Sequence, residues 1–172
     1  MPFTYRKLQA HEAGVYRAIR LEALKNHPEN FDSTYEAESA KPKLAFETAI
    51  EEQLPDRFIM GAFYNTRLIG ISGFYQEPAG KFHHKGGIIQ VYVNPEFKGN
   101  QVGLHLTNAT IHQAFTTTNV EQLILGVVAT NIAANRVYEQ AGFKEYGFYK
   151  GYQKNGNSYC DERLMVLYKN DL

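Results

Sequence analysis

Between Ile88 and Phe143 the chain runs through a short apolar strand, a glycine-containing turn into a long helix, a second apolar strand and a second helix. The first strand spans Ile88 to Val93 and is closed by Asn94 and Pro95. The long helix begins near Val102 and lasts to about Thr117. Leu123 to Val128 reads as a buried-type strand, and Ile132 to Gln140 as a helix. Such an order restricts the chain to a sheet flanked by helices.

The flanking segments extend this reading. Phe3 and Tyr5 alternate as in a first strand, and a helical stretch follows from about Ala10 to Asn26, with Val15, Ile19 and Ala23 at helical spacing. Pro28 ends it, because a proline disfavours helix in the residue before it. Asn30 to Lys43 is polar and irregular, and a second short helix is predicted from Lys43 to Gln53. Phe58 to Tyr64 and Leu68 to Tyr75 form a hairpin through Asn65 and Thr66, and Glu77 to Gly87 reads as a loop. Two aromatic-rich strands close the chain, Phe143 to Tyr152 and Tyr159 to Tyr168, around an Asn155-Gly156-Asn157 turn. Strands interleave with helices early and pair as hairpins late, so the predicted class is mixed α/β. In the Val102 helix, Val102, Leu106 and Ala109 share one face while Leu104, Ile111 and Phe115 share the opposite one. Both faces are therefore covered, by the sheet and by a neighbouring helix or a second subunit.

At 172 residues, with 44% hydrophobic and 21% charged residues, the chain fits one soluble globular domain. Lysine plus arginine and aspartate plus glutamate number 18 each, so the net charge is zero. That balance speaks against a nucleic-acid partner and against an anionic membrane surface. Cys160 is the only cysteine, which excludes an intramolecular disulfide and a multi-cysteine zinc site. Met1 to Leu8 lacks the apolar run of a signal peptide, and a cytoplasmic setting is expected.

The turn after Asn94-Pro95 reads Glu96-Phe97-Lys98-Gly99-Asn100-Gln101-Val102-Gly103-Leu104. The first N–H groups of a helix have no internal partner and, with the helix dipole, suit a phosphate or pyrophosphate. Gly99 and Gly103 equally fit a turn glycine and a helix-packing glycine. The spacing matches neither a dinucleotide-binding loop nor a P-loop. Downstream, Asn131-Ile132-Ala133-Ala134-Asn135-Arg136-Val137-Tyr138-Glu139-Gln140-Ala141-Gly142-Phe143 places Asn131 as an N-cap and Gly142 at a helix C-terminus.

Together the two segments, V-x-P-x-[YF]-[RK]-G-x-x-[VI]-G and N-x-x-A-x-x-[LV]-Y-E-x-x-G-F, closely resemble the GNAT superfamily of N-acetyltransferases. Leu21-Glu22-Ala23-Leu24 through Phe31 resembles the family's first helix and following loop, and Tyr159 to Met165 its final strand. The resemblance implies one domain over residues 1–172, with a mixed, mostly antiparallel central sheet of six to seven strands and about four flanking helices. It implies direct acetyl transfer from acetyl-CoA, as co-substrate, to a primary amine. The strand backbone at Val91, Tyr92 and Val93 would meet the acetyl group and pantetheine, and Lys98, Gly99, Asn100, Gln101, Val102, Gly103 and Leu104 the pyrophosphate. Asn131 and Ala134 would contact the pantetheine arm, and Tyr138 would protonate the leaving thiolate.

The sequence departs from the family pattern at Gln101, which stands where the loop [QR]-x-x-G-x-[GA] has its first glycine. Its side chain clears the pyrophosphate if the residue is in an ordinary helical conformation, and CoA binding is expected to survive. Gln90 occupies a strand region where some members place a glutamate base, and an amide cannot serve. Glu77, His83, His84, Glu96 and Asp161 are the remaining candidates for the base, none singled out. No metal is expected. His83 and His84 point apart on an extended chain, and His105 and His112 lie roughly 10 Å apart along a helix. Cys160 has no triad motif around it. The expected acceptor is a small-molecule amine, with the aromatic loops Phe31 to Tyr35 and Phe148 to Tyr152 closing a small pocket. A protein or peptide acceptor is the nearest alternative, and a non-catalytic CoA-sensing module the alternative of another class. A homodimer stays open, since members often form dimers.

Overall fold

Period-two patterning sends the two faces of the strands into two separate cores. The computed structural model describes residues 3–78 and 80–172. Its strands are β1 (Phe3–Lys7), β2 (Arg57–Tyr64), β3 (Arg67–Gln76), β4 (Lys85–Val93), β5 (Gln122–Val128), β6 (Lys144–Asn155) and β7 (Ser158–Tyr168). They form one sheet in the order β1-β2-β3-β4-β5-β7-β6. Only β4 and β5 pair in parallel; the other neighbours are antiparallel. The helices are α1 (Ala13–Asn26), α2 (Tyr35–Ser39), α3 (Ala45–Glu51), α4 (Val102–Thr117) and α5 (Ile132–Gln140). The mixed α/β class and the mostly antiparallel sheet therefore hold, with seven strands. Among the described residues no helix is long and apolar enough to cross a membrane.

β2 shows how the two cores divide. Phe58, Met60 and Ala62 join the core under α4 and α5, whereas Ile59 and Phe63 join the one under α1 and α3. Both faces of α4 are covered within the chain, by the sheet and by α5: Val102, Leu106, Ile111 and Phe115 are all buried.

The local departures from expectation have simple causes. Val15 is 50% exposed, and Tyr16, 1% exposed, takes its place in the buried stripe of α1. The polar stretch after Asn30 contains α2, started by the Thr34 hydroxyl, which accepts from the Ala37 amide. Within the Glu77–Gly87 stretch, Ala79 lies outside the described residues, and Lys85-Gly86-Gly87 is strand rather than loop. Two glycines disguise it, yet they are required: side chains at Gly86 and Gly87 would collide with the Phe74 and Tyr75 rings.

Those three residues carry the whole β4–β5 ladder, which ends at Gly87 opposite Ile124. Beyond it the strands part, and a gap opens through the sheet between the rest of β4 and of β5. A bulge sharpens the divergence. Ile71 faces Tyr92 while Gly73 faces Ile89, and Gln90 takes φ 57° to absorb the extra residue.

Candidate active site

The parting of β4 and β5 forms a cleft of about 870 Å³, a size suited to a small-molecule site. Val91, Tyr92, Val93, Lys98, Gly99, Gln101, Val102, Gly103, Leu104, Asn131, Ala134 and Tyr138 all line it. Asn100 does not. It turns to the far side of the loop, into a shallow depression with Phe3, Tyr5 and His105, and its amide donates to the Phe97 carbonyl.

One end of the cleft is built from the start of α4. Gly99 takes φ 87° with nothing within 4 Å of where a Cβ would stand, and a Cβ at Gly103 would meet nothing closer than 3.8 Å. Gln101 is the N-cap residue but makes no side-chain cap hydrogen bond. The first-turn amides of α4 are thus left to an outside acceptor, and the backbone approach is clear of side chains. The cradle fits a pyrophosphate. Gln101 does not take the ordinary helical conformation that would carry its side chain clear: it lies in the left-handed region, φ 56° and ψ 16°. A turn that needs positive φ here explains why glycine suits the position.

The middle of the cleft is framed by α5. Asn131 caps this helix, its Oδ1 accepting from the Ala134 amide while its Nδ2 donates to Asn30. Gly142 terminates the helix at φ 96°. Tyr138 is 7% exposed, packs edge-on against Phe143 and reaches the cleft wall. Burial pushes its phenol well above the ordinary value, so the hydroxyl keeps its proton throughout the working pH range.

The opposite end is lined by α1, the segment after it, and the β6–β7 hairpin. Asp32 accepts from the Tyr152 hydroxyl at 2.9 Å and from the Gln153 amide at 2.8 Å, tying that segment to the hairpin. Tyr16 donates to the Gln90 side chain at 2.8 Å and holds the bulged residue at the cleft. The Tyr92 ring leans toward α1, where its hydroxyl donates to Glu22.

Glu162 and Asp32 are the carboxylates that line the cleft among the described residues. Glu162 on β7 lies over the α-carbon of Gly126 on β5, where any side chain would overlap its carboxyl group. Burial, and then the Asp32 charge, push its pKa up from 4.5 to about 7. Of the candidates for the base, Glu77, His83, His84, Glu96 and Asp161, none lines the cleft. Glu96 pairs with Arg67, Asp161 accepts from the Gly151 amide, and His83 turns to the Glu77 carbonyl. Glu162 and Arg20, which also lines the cleft, were not legible as site residues from the sequence pattern. The available signals were a glutamate adjacent to Asp161 on a strand and an arginine in the apolar stripe of α1.

The acetyltransferase (GNAT) family model matches residues 18–143. The chain belongs to the acetyltransferase (GNAT) family. It is accordingly an acyltransferase that uses acetyl-CoA as co-substrate. Solved structures share its fold. A GNAT-family acetyltransferase from Streptococcus pneumoniae superposes with a TM-score of 0.82 at 18% identity, over 96% of this chain and 99% of that one. A putative acetyltransferase (yncA) from Salmonella typhimurium, solved with its cofactor acetyl-CoA, gives 0.77 at 17% identity, over 98% and 94%. A ribosomal-protein-alanine N-acetyltransferase from Brucella melitensis gives 0.71 at 19%, over 96% and 99%.

Proposed function

We propose that this acetyltransferase moves the acetyl group directly onto the primary amine of a small molecule, with Glu162 as general base and Tyr138 as general acid. The observation that carries this reading is Glu162: a carboxyl group at the parting of the sheet, with its pKa near neutrality. A base works best when its pKa lies close to the working pH.

Bound acetyl-CoA supplies an acyl thioester. The amides at the start of α4 hold its pyrophosphate, and the unpaired edge of β4 around Val91 and Val93 orients its arm. Glu162 accepts the proton that the acceptor ammonium gives up as its nitrogen bonds the acetyl carbon. Tyr138 donates its proton to the sulfur as the carbon–sulfur bond breaks. The nitrogen loses its second proton as it becomes an amide, which restores the proton Tyr138 gave to sulfur, and Glu162 returns its own proton to solvent, so the products are the amide, the CoA thiol and one released proton.

The hydrogen bonds from Tyr152 and Gln153 to Asp32 support a small acceptor. They bridge the segment after α1 to the β6–β7 hairpin, where a peptide acceptor needs an open groove. The test is calorimetric titration with acetyl-CoA followed by a panel of amines assayed for thiol release. Micromolar binding at one site per chain, with turnover on small amines, supports the reading. Turnover confined to peptides refutes the acceptor class, and failure of the folded protein to bind acetyl-CoA refutes the cofactor assignment.

A further inference from the structure

The buried stripe of α1 reads Tyr16, Ile19, Arg20, Ala23 and Leu24, and one member of it is charged. Arg20 is only 3% exposed, and its Nε and Nη1 have no hydrogen-bond partner among the described residues. Its guanidinium lies over the Phe31 ring, 4.8 Å from the centroid, in the wall of the cleft. The neighbouring acceptor groups are engaged. Asp32 accepts from Tyr152 and Gln153, Glu38 pairs with Lys41, Glu47 pairs with Arg17, and the Gln90 oxygen accepts from Tyr16. A buried charge without a partner is strongly unfavourable, and an unpaired buried donor in a binding cleft asks for a ligand acceptor.

We infer that the acceptor is an amine carrying an oxyanion group, a carboxylate or a phosphonate, which Arg20 binds while the amine faces Glu162. The inference rests on the reading of the cleft as an amine acetylation site and specifies its substrate class. A guanidinium presents parallel donors along its Nε–Nη2 edge and its Nη1–Nη2 edge, and the unpaired Nε and Nη1 leave one donor of each edge free for an oxygen of such a group. Arg20, Asp32 and Glu162 line the same cleft, so the two recognition points belong to one pocket. A polyamine would set a second ammonium against the unpaired guanidinium, which selects against it.

The test compares free α- and ω-amino acids and aminoalkylphosphonic acids with their amides and with the parent amines, polyamines included. Wild-type protein, Arg20→Met and Arg20→Lys are each checked for folding by circular dichroism and for acetyl-CoA affinity. The expected result is a kcat/KM for the anionic acceptors at least about a hundredfold above that for their neutral counterparts. In Arg20→Met that ratio collapses, chiefly through KM, while acetyl-CoA affinity is kept. Arg20→Lys, which keeps the charge without the fork, retains part of it and serves if the methionine variant fails to fold. Equal rates for acids and amides, or a ratio untouched by the Arg20 variants, overturn the inference and leave amine acetylation standing. If no amine is turned over although acetyl-CoA binds, the amine reading fails, and thermal shift of the CoA complex decides the oxyanion site separately. Stabilisation by the anionic probes that vanishes in Arg20→Met supports it, and no stabilisation by any of them overturns it.

Discussion

The Glu162 carboxyl group makes a prediction about rate and stability together. With a pKa of about 7, about one molecule in ten carries the carboxylate at pH 6 and about nine in ten at pH 8. The kcat/KM for acetylation should therefore rise about tenfold between those values. Glu162→Gln should lower the rate by about 10²- to 10⁴-fold and remove that limb of the profile. Asp32→Asn should keep the limb but move its midpoint toward acid. The move should cover less than half the way back to 4.5, because burial outweighs the Asp32 charge as the cause of the shift. Stability runs in the opposite sense. A carboxyl whose folded pKa is raised binds its proton more tightly in the folded state, so its contribution is complete below 4.5 and is lost as pH rises through about 7. Glu162→Gln escapes that loss and should melt above the wild type at pH 8 while being far less active. The assays are thiol release under saturating acetyl-CoA and thermal melting, each across pH 5 to 9. A Glu162→Gln enzyme that keeps the limb near pH 7, at a rate within a few-fold of wild type, refutes the assignment of the base.

Three further outcomes are expected. Tyr138→Phe should reduce turnover by about a hundredfold or more while leaving the calorimetric affinity for acetyl-CoA nearly unchanged; turnover indifferent to the change removes Tyr138 from the chemistry. Gln101→Gly should stabilise the protein by about 0.5–1 kcal/mol in urea unfolding, because it relieves a left-handed conformation at φ 56°, and acetyl-CoA affinity should not fall. Asn135→Ala should cost about 2–3 kcal/mol in the same assay. This 5% exposed amide donates to the Val128 and Asn131 carbonyls and accepts from Arg163, all of which lose a partner.

The parts of the site built from backbone were legible in the sequence, because few residue types tolerate those conformations. Asn131 and Gly142 marked the two ends of α5, and Gly99 and Gly103 marked the open start of α4. Side-chain chemistry was harder, because it depends on which face of an element a residue occupies. Asp161 and Glu162 are adjacent on β7, and one step along a strand reverses the face. Asp161 accepts from Gly151, while Glu162 enters the cleft. No local pattern distinguishes them. What does is the register with β5, which sets Glu162 opposite Val128 and lets its side chain lie diagonally over Gly126, the one β5 position without a side chain. The same dependence hid Arg20. An arginine at position 20 reads as the polar side of a helix if Val15 anchors the apolar stripe. Once Tyr16 is the anchor, Arg20 falls one helical turn later on the buried face. The two residues argued to read the acceptor are thus the two whose roles arise from tertiary register. Where a cleft is framed partly by constrained backbone and partly by side chains whose face is set by register, a sequence reports the first before the second.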